Sequence, residues 1–297
     1  MRLTLAQLEA FYWTATHGSV DKAAHTLHLA QPTVSLRLRG LEDALGYKPF
    51  ERAGRGLKLT RRGLDLLDEC HTIFASLETI EAHSGAQRIT GPIRLGFAEG
   101  FAMVCLPEIL FRLHADHPGL QPEVMVATSA QIEPELHNLE LDLAFLVHPS
   151  EHKQFKLDSL GRQEAAWVSA TRFQLPTVIR PQDIATLPII ANPVGSINYQ
   201  QMISWFASAG LTPKRIDFCN SVSMLVNLVD KGVGLGIYPC KLAENAQSAG
   251  RVRILQSSPQ IDDTPIFAKY PRQGSKPKVD AVLSTVIAVL SEMDYLK

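Results

Sequence analysis

From the start of the chain, Leu5, Leu8, Phe11, Tyr12 and Ala15 recur at helical intervals and predict a helix over 5–16 with one inward face. Thr4 and Gln7 ahead of it have capping-box spacing, and Gly18 ends it. Ser19 then suits the N-cap of a second helix, with Asp21 in its first turn and the small pair Ala23-Ala24 before Leu27. A third helix opens at Gln31-Pro32, where a missing N–H costs nothing and Gln31 can cap the helix or reach outward. Stepping 100° per residue places Val34, Leu38, Leu41 and Leu45 inward. Leu36, Arg39, Gly40 and Asp43 point outward, with Ser35 and Arg37 on the flanks. Small residues permit a close helix crossing, which leaves the outer face of the third helix free to enter a nucleic-acid groove as a helix-turn-helix.

The next apolar positions change period. Phe50-Glu51-Arg52 and Leu57-Lys58-Leu59, separated by Ala53-Gly54-Arg55-Gly56, read as a β-hairpin and hence a wing. From Thr60 to about Gln87 one long helix is predicted. Along it Leu59, Gly63, Leu66, Cys70, Ile73, Leu77, Ile80 and Ser84 follow the 4-3 spacing of a two-stranded coiled-coil seam. Such a helix alone would be wet, so Leu66, Cys70, Ile73, Leu77 and Ile80 are expected to pair two chains.

Gly91-Pro92 breaks that helix, and strands alternate with helices from there on. Strands are predicted at 93–97, 123–127, 143–147, 166–169, 188–191, 215–219 and 235–238. Helices are predicted at 106–114, 132–139, 199–209, 222–231 and 280–293. The alternation predicts a parallel sheet with helices on its faces. The length suits two lobes, with crossings near Leu160–Gln163 and Asp262–Ile266 and the last helix returning to the first lobe.

Charge sharpens this division. Up to Arg62 there are ten basic and five acidic residues, a net +5; beyond it 19 basic face 25 acidic, a net −6. A basic head before an acidic body suits contact with nucleic acid at one end only. The four cysteines lie far apart and no apolar run has the length of a bilayer span, so the expected setting is a reducing cytoplasm without membrane insertion. His148 and His152 have ligand-like spacing, but Pro149 interrupts any helix between them, and no metal or other cofactor is expected. Cys70 on the seam and the other thiols are read as small hydrophobes.

The head carries Leu8 and Phe11, Gly18-Ser19, Ala23-Ala24, Gln31-Pro32-Thr33-Val34-Ser35, Leu41-Glu42, Leu45-Gly46, Phe50, Arg52, Arg55-Gly56, Leu59-Thr60 and Gly63. The body adds Leu106-Pro107, His117-Pro118, Leu141-Asp142-Leu143-Ala144 and the glycines from Gly232 to Gly236. In these positions the chain resembles a LysR-type transcriptional regulator along essentially its whole length. The resemblance implies a winged helix-turn-helix domain over 1–59 and a linker and dimerisation helix over 60–89. It implies an α/β effector domain over 90–297, two-lobed like a periplasmic binding protein, with lobes at about 90–161 plus 266–297 and about 162–265. It also implies a homodimer or homotetramer on palindromic promoter DNA, contact with RNA polymerase, a small-molecule effector between the lobes, and no enzymatic chemistry. Two positions depart from the usual pattern: Leu36 and Gly40 stand where basic residues are common.

Gln31, Thr33, Ser35 and Arg37 are therefore expected near base edges, Leu36 against a thymine methyl, Arg39, Arg52 and Arg55 on phosphates, and Pro32 within the same DNA-binding set. In an open α/β sheet, ligands collect beyond the carboxyl ends of the strands. That rule selects Ala98, Glu99, Gly100 and Phe101, then Thr128 and Ser129, then Asn192, Ser196 and Asn198, with Ser223 at a helix start. A free Glu99 carboxylate would favour a neutral or zwitterionic effector.

Overall fold

The computed structural model describes residues 3–53, 56–83, 89–272 and 276–297. The chain divides into two units, Met1–Ala86 with Gln273–Lys276, and Gln87–Arg272 with Pro277–Lys297.

The first unit begins with three helices, α1 (Leu5–His17), α2 (Val20–Thr26) and α3 (Gln31–Leu45). The local signals act as their chemistry dictates. The Thr4 hydroxyl accepts from the Gln7 amide at 3.3 Å while the Thr4 amide donates to the Gln7 side chain at 2.9 Å. Gly18 closes α1 in the left-handed region, and the Ser19 hydroxyl accepts from the Lys22 amide to open α2. Ala10, Ala23, Ala24 and Val34 form one buried cluster, the close crossing that small residues allow. Strands β1 (Phe50–Ala53) and β2 (Gly56–Leu59) pair antiparallel from Phe50↔Leu59 to Ala53↔Gly56.

Helix α4 (Arg61–His83) follows directly. Thr60 caps it, accepting from the Gly63 amide at 3.1 Å, while its own hydroxyl reaches the Lys48 and Pro49 carbonyls. Gly63 is pressed against the chain entering β1: a Cβ there would sit 2.1 Å from the Pro49 carbonyl oxygen. This contact lays α4 over α1. Leu66, Leu67, Cys70, Ile73 and Phe74 pack in one cluster with Leu8, Phe11 and Tyr12.

The second unit runs β3 (Gly91–Ala98), α5 (Glu99–Asp116), β4 (Leu120–Ala127), α6 (Ser129–His137), β5 (Leu143–Val147), β6 (Phe155–Gln163), β7 (Ala165–Ala170), β8 (Val178–Ile179), α7 (Pro181–Ile184), β9 (Pro188–Ala191), α8 (Ile197–Ala207), β10 (Arg215–Phe218), α9 (Val222–Asp230), β11 (Gly236–Pro239), α10 (Glu244–Ser248), β12 (Val252–Ser257), β13 (Thr264–Pro271) and α11 (Lys276–Glu292). One lobe is built on a five-stranded sheet of order β4-β3-β5-β13-β6. Its core joins Phe97, Phe101 and Phe145 to Val282, Val286 and Val289 of the returning α11. The other lobe holds the four-stranded sheet β11-β7-β12-β8 and the pair β10-β9, around Trp167, Trp205 and Phe206.

The purely parallel sheet expected from the alternation is corrected to a mixed one. β3 runs parallel to β4 and β5, but β13 is antiparallel to both β5 and β6, and β7 is antiparallel to β11 and β12. The reason is the double crossing: β6 leaves the first lobe and β13 re-enters it, and the two strands pair side by side from Gln163↔Thr264 to Phe155↔Pro271. No helix among the described residues is long and apolar enough to cross a membrane.

Candidate DNA interface and effector cleft

Helix α3 presents the face that its pattern predicts, with two corrections. Val34 and Leu41 are fully buried, while Gln31, Pro32, Thr33 and Arg39 are exposed and Leu36 is 69% exposed. Gln31 is the first helical residue rather than a cap. Ala30 is the N-cap and offers no side-chain bond, and the Gln31 side-chain Nε2 instead donates to the Ser35 hydroxyl at 3.4 Å. Arg37 is the first correction: its guanidinium donates to the Ala6 carbonyl of α1 at 3.5 Å and is half-buried, so the flank is drawn toward the neighbouring helix.

Gly40 is the second correction. It faces α1 rather than the open side, because a Cβ there would meet the Gln7 side-chain nitrogen at 2.7 Å. Gln7 is held in place by its bond to the Thr4 amide, so glycine keeps room for the α1 cap. Arg52 lies on β1 opposite Leu57. Arg55 lies outside the described residues.

Part of the seam expected to pair two chains also packs within its own chain. Cys70 is fully buried, and it and half-buried Leu66 and Ile73 pack onto α1 of the same chain. Leu77 is half-buried further along α4; Ile80 is on the same helix, its side chain outside the described ones. A 4-3 apolar spacing is common to a coiled-coil seam and to a helix lying on its own domain, so only the fold separates the two. Leu64, 53% exposed, is on another face of α4.

In the second unit the predicted loop 98–101 is already helical. Ala98 is the N-cap of α5, and Glu99, Gly100 and Phe101 form its first turn. Phe101 points into the core, stacked with Phe97 and Phe145, and does not face a cleft. Glu99 points the other way. Its Oε2 accepts from the Val222 amide at 2.7 Å, and its Oε1 accepts from the Ser223 amide at 3.1 Å and from the Ser221 and Ser223 hydroxyls at 3.0 Å each. Burial alone would raise this carboxyl, but the four bonds outweigh it and hold the pKa below the ordinary carboxylate range. The carboxylate is thus engaged, which removes the basis for reading it as a free acid that selects a zwitterion.

The remaining candidates border the same region with mixed roles. Thr128 caps α6 through Gln131, and the Ser129 hydroxyl accepts from the Val147 amide at 2.9 Å. Ser196 caps α8 by accepting from the Tyr199 amide. The Asn198 side-chain Nδ2 donates to Asn192 Oδ1 at 3.1 Å, and Asn192 Nδ2 donates to the Cys219 carbonyl at 3.4 Å. With Ile190, Ala191, Met202 and Ile237 these two asparagines line a void of about 10 Å³, the space of one water rather than of an effector.

Sequence reasoning missed a buried ionic cluster in the first lobe. Lys269 of β13 is fully buried, and its ammonium donates to Glu133 and to the Ser150 carbonyl and lies 2.9 Å from His137 Nε2. Glu133 also accepts from the Ser150 amide and hydroxyl. The partners sit 132 and 136 residues from Lys269, and no local pattern announces them. Burial pushes the Cys70, Cys105 and Cys240 thiols up to about 12, so they stay protonated and unreactive.

A helical head with one exposed recognition face, a β-wing, a connecting helix and a two-lobed α/β domain define a ligand-responsive DNA-binding regulator. Residues 5–64 match the bacterial regulatory helix-turn-helix protein, lysR family, and residues 86–291 match the LysR substrate binding domain. The chain belongs to the LysR family: it is a transcriptional regulator with an N-terminal DNA-binding domain and a C-terminal effector-binding domain. It is 28% identical over 253 residues to the HTH-type transcriptional regulator GltR of Bacillus subtilis (strain 168), covering 84% of each chain. Its fold is similar to that of a full-length OxyR variant from Pseudomonas aeruginosa, with a TM-score of 0.74 at 17% identity over 96% of this chain and 95% of that one. ArgP from Mycobacterium tuberculosis gives a TM-score of 0.72 at 19% identity over 97% and 98%.

Proposed function

We propose that this regulator reads promoter DNA with Gln31, Pro32, Thr33, Ser35 and Leu36 of α3 and grips phosphates with Arg39 and the wing arginines Arg52 and Arg55. The observation that carries this reading is the division of α3 into a buried Val34/Leu41 side and an exposed side holding Gln31, Thr33, Leu36 and Arg39. Ala30 leaves the start of α3 without a side-chain cap, so its N-terminal dipole is free to meet a phosphate. Leu36 can meet a thymine methyl but cannot bond guanine. Replacing Leu36 by Arg should therefore move base preference toward guanine at one position of each half-site, seen by binding selection from randomised operators; an unchanged consensus removes Leu36 from the readout.

An effector enters between the lobes, bordered by Thr128, Asn192, Ser196, Asn198 and the Glu99–Ser223 contact, and changes how copies of α3 are presented to a palindromic site. Self-association to a homodimer and homotetramer is supported by exposed apolar side chains: Met103 and Phe111 on α5, Val124 and Val126 on the edge strand β4, and Phe218 and Met224 in the second lobe. The regulator works in the cytoplasm, acts on RNA polymerase at its promoters, and needs neither a cofactor nor catalysis.

The test is a mobility shift of the full chain on the intergenic DNA beside its own gene, with and without metabolites. Failure to bind any such DNA overturns the reading. In the same assay Arg39→Ala should weaken operator and random DNA alike, and lower the slope of log affinity against log salt by about 0.9, the value of one phosphate. A loss confined to the operator assigns Arg39 to base contact instead.

A further inference from the structure

Glu99 and the start of α9 belong to different lobes, yet they form one anion site in which the anion is the protein's own. Ser221 caps α9 in the ordinary way, accepting from the Met224 amide at 3.2 Å. The Val222 and Ser223 amides, which a lone helix would leave for water, are taken by Glu99 of the opposite lobe. Helix dipole and charge-assisted bonding act together there, and burial of part of the carboxylate strengthens both. The first turn of α5 follows the contact: a Cβ on Gly100 would lie 3.5 Å from Pro239 and 3.9 Å from Val222 of the second lobe. The lobes are joined covalently through β6 and β13, which lie side by side and can flex together as a hinge, and beside that hinge the Lys297 ammonium lies 3.6 Å from both Glu164 and Asp263.

The geometry points to Glu99 as a built-in latch, a carboxylate that holds the two lobes closed without effector and that the effector must displace to engage the α9 end. The inference rests on the cleft being the effector site, and it names what effector binding works against. An opening about the β6–β13 hinge that separates α5 from α9 breaks all four bonds at once, so the latch gives the domain two discrete states rather than a continuum.

The experiment compares the ligand-free full chain with Glu99→Gln and with Ser223→Ala, which removes one hydroxyl donor and leaves the charge. By hydrogen–deuterium exchange, the Val222 and Ser223 amides should exchange at least about tenfold faster in E99Q, with core strand β3 unchanged, and less so in S223A. Spin labels on Asp116→Cys and Lys231→Cys in a Cys219→Ser background, diluted into unlabelled chain, should show a broader and longer distance distribution in E99Q than in the parent. Unchanged exchange overturns the latch. Faster exchange with an unchanged distance also overturns it, since Glu99 would then be a helix cap alone. Promoter binding of the unlabelled wild type is scored separately: its loss removes the regulator reading and leaves the exchange and distance results standing.

Discussion

Replacing Glu133 by Ala should cost the effector domain about 3–5 kcal/mol, the loss typical when one partner of a buried ion pair is removed. Lys269 has no exposed surface, and among the described residues Glu133 supplies its carboxylate partner while also receiving the Ser150 amide and hydroxyl. Truncation strands a buried ammonium with the His137 nitrogen and the Ser150 carbonyl and hydroxyl as neutral acceptors. Urea unfolding of the full chain measures the change, and a loss under about 1 kcal/mol would show that water reaches the ammonium. The double variant E133A/K269M should recover most of the loss, because removing both charges removes the desolvation penalty as well.

The cluster also fixes a direction with pH. Burial tends to raise the Glu133 carboxyl, but bonds from Lys269 and Ser150 together with the Lys269 charge outweigh it and leave the pKa lowered. A carboxyl lowered on folding contributes stability that is present above its ordinary value of 4.5 and lost as pH falls through the folded value. His137 is lowered too, first by burial and then by the Lys269 charge, so the unfolded chain binds its proton more readily. Stability therefore begins to fall as pH drops below about 6.5 and falls further through the carboxylate range. The wild-type advantage over E133A should shrink on acidification. An advantage that grows toward acid contradicts this account.

The second large effect is expected at Gly63. Alanine there places a carbon 2.1 Å from the Pro49 carbonyl oxygen, a backbone atom that also accepts from the Thr60 amide, and 3.0 Å from Leu59. Relief requires the wing and the start of α4 to separate, at about 1–3 kcal/mol of overpacking strain. Because β1 enters from Pro49 and the wing returns through Leu59 into Thr60, the strain moves the wing relative to α3. Gly63→Ala should lower the melting temperature and reduce promoter affinity by about tenfold, equivalent to 1.4 kcal/mol. Wild-type affinity in a mobility shift would show that the junction yields without disturbing the wing.

The head was readable because its instructions are local. The Thr4/Gln7 box, the Gly18 stop, the Ser19 cap and Pro32 each act within four residues, and each appears where the spacing puts it. The start of α5 was not readable for a local reason as well. The helix is predicted from Leu106, whereas it begins at Glu99 and carries Pro107 inside, a position that proline ordinarily disfavours. That error put Glu99 and Phe101 on a loop and hid their opposite fates, one reaching across to α9 and the other stacked in the core. The α4 stripe was legible in its spacing but not in its intrachain partner, since Leu66, Cys70 and Ile73 meet α1.

Short-range backbone chemistry and apolar period, both written in the chain, determined the head helices, the wing, α4 and the exposed Gln31, Thr33, Leu36 and Arg39 of α3, while charge marked the basic head and the motif residues carried the family resemblance; β6, β8, β12 and β13 were not legible. Tertiary structure alone decided which charges meet: Glu99 with Ser221–Ser223, and Lys269 with Glu133 and His137, across more than a hundred residues. It also decided that Arg37 and Gly40 turn toward α1. The physical reason is that hydrogen bonds and ion pairs gain strength from burial and alignment, and both depend on where distant segments pack.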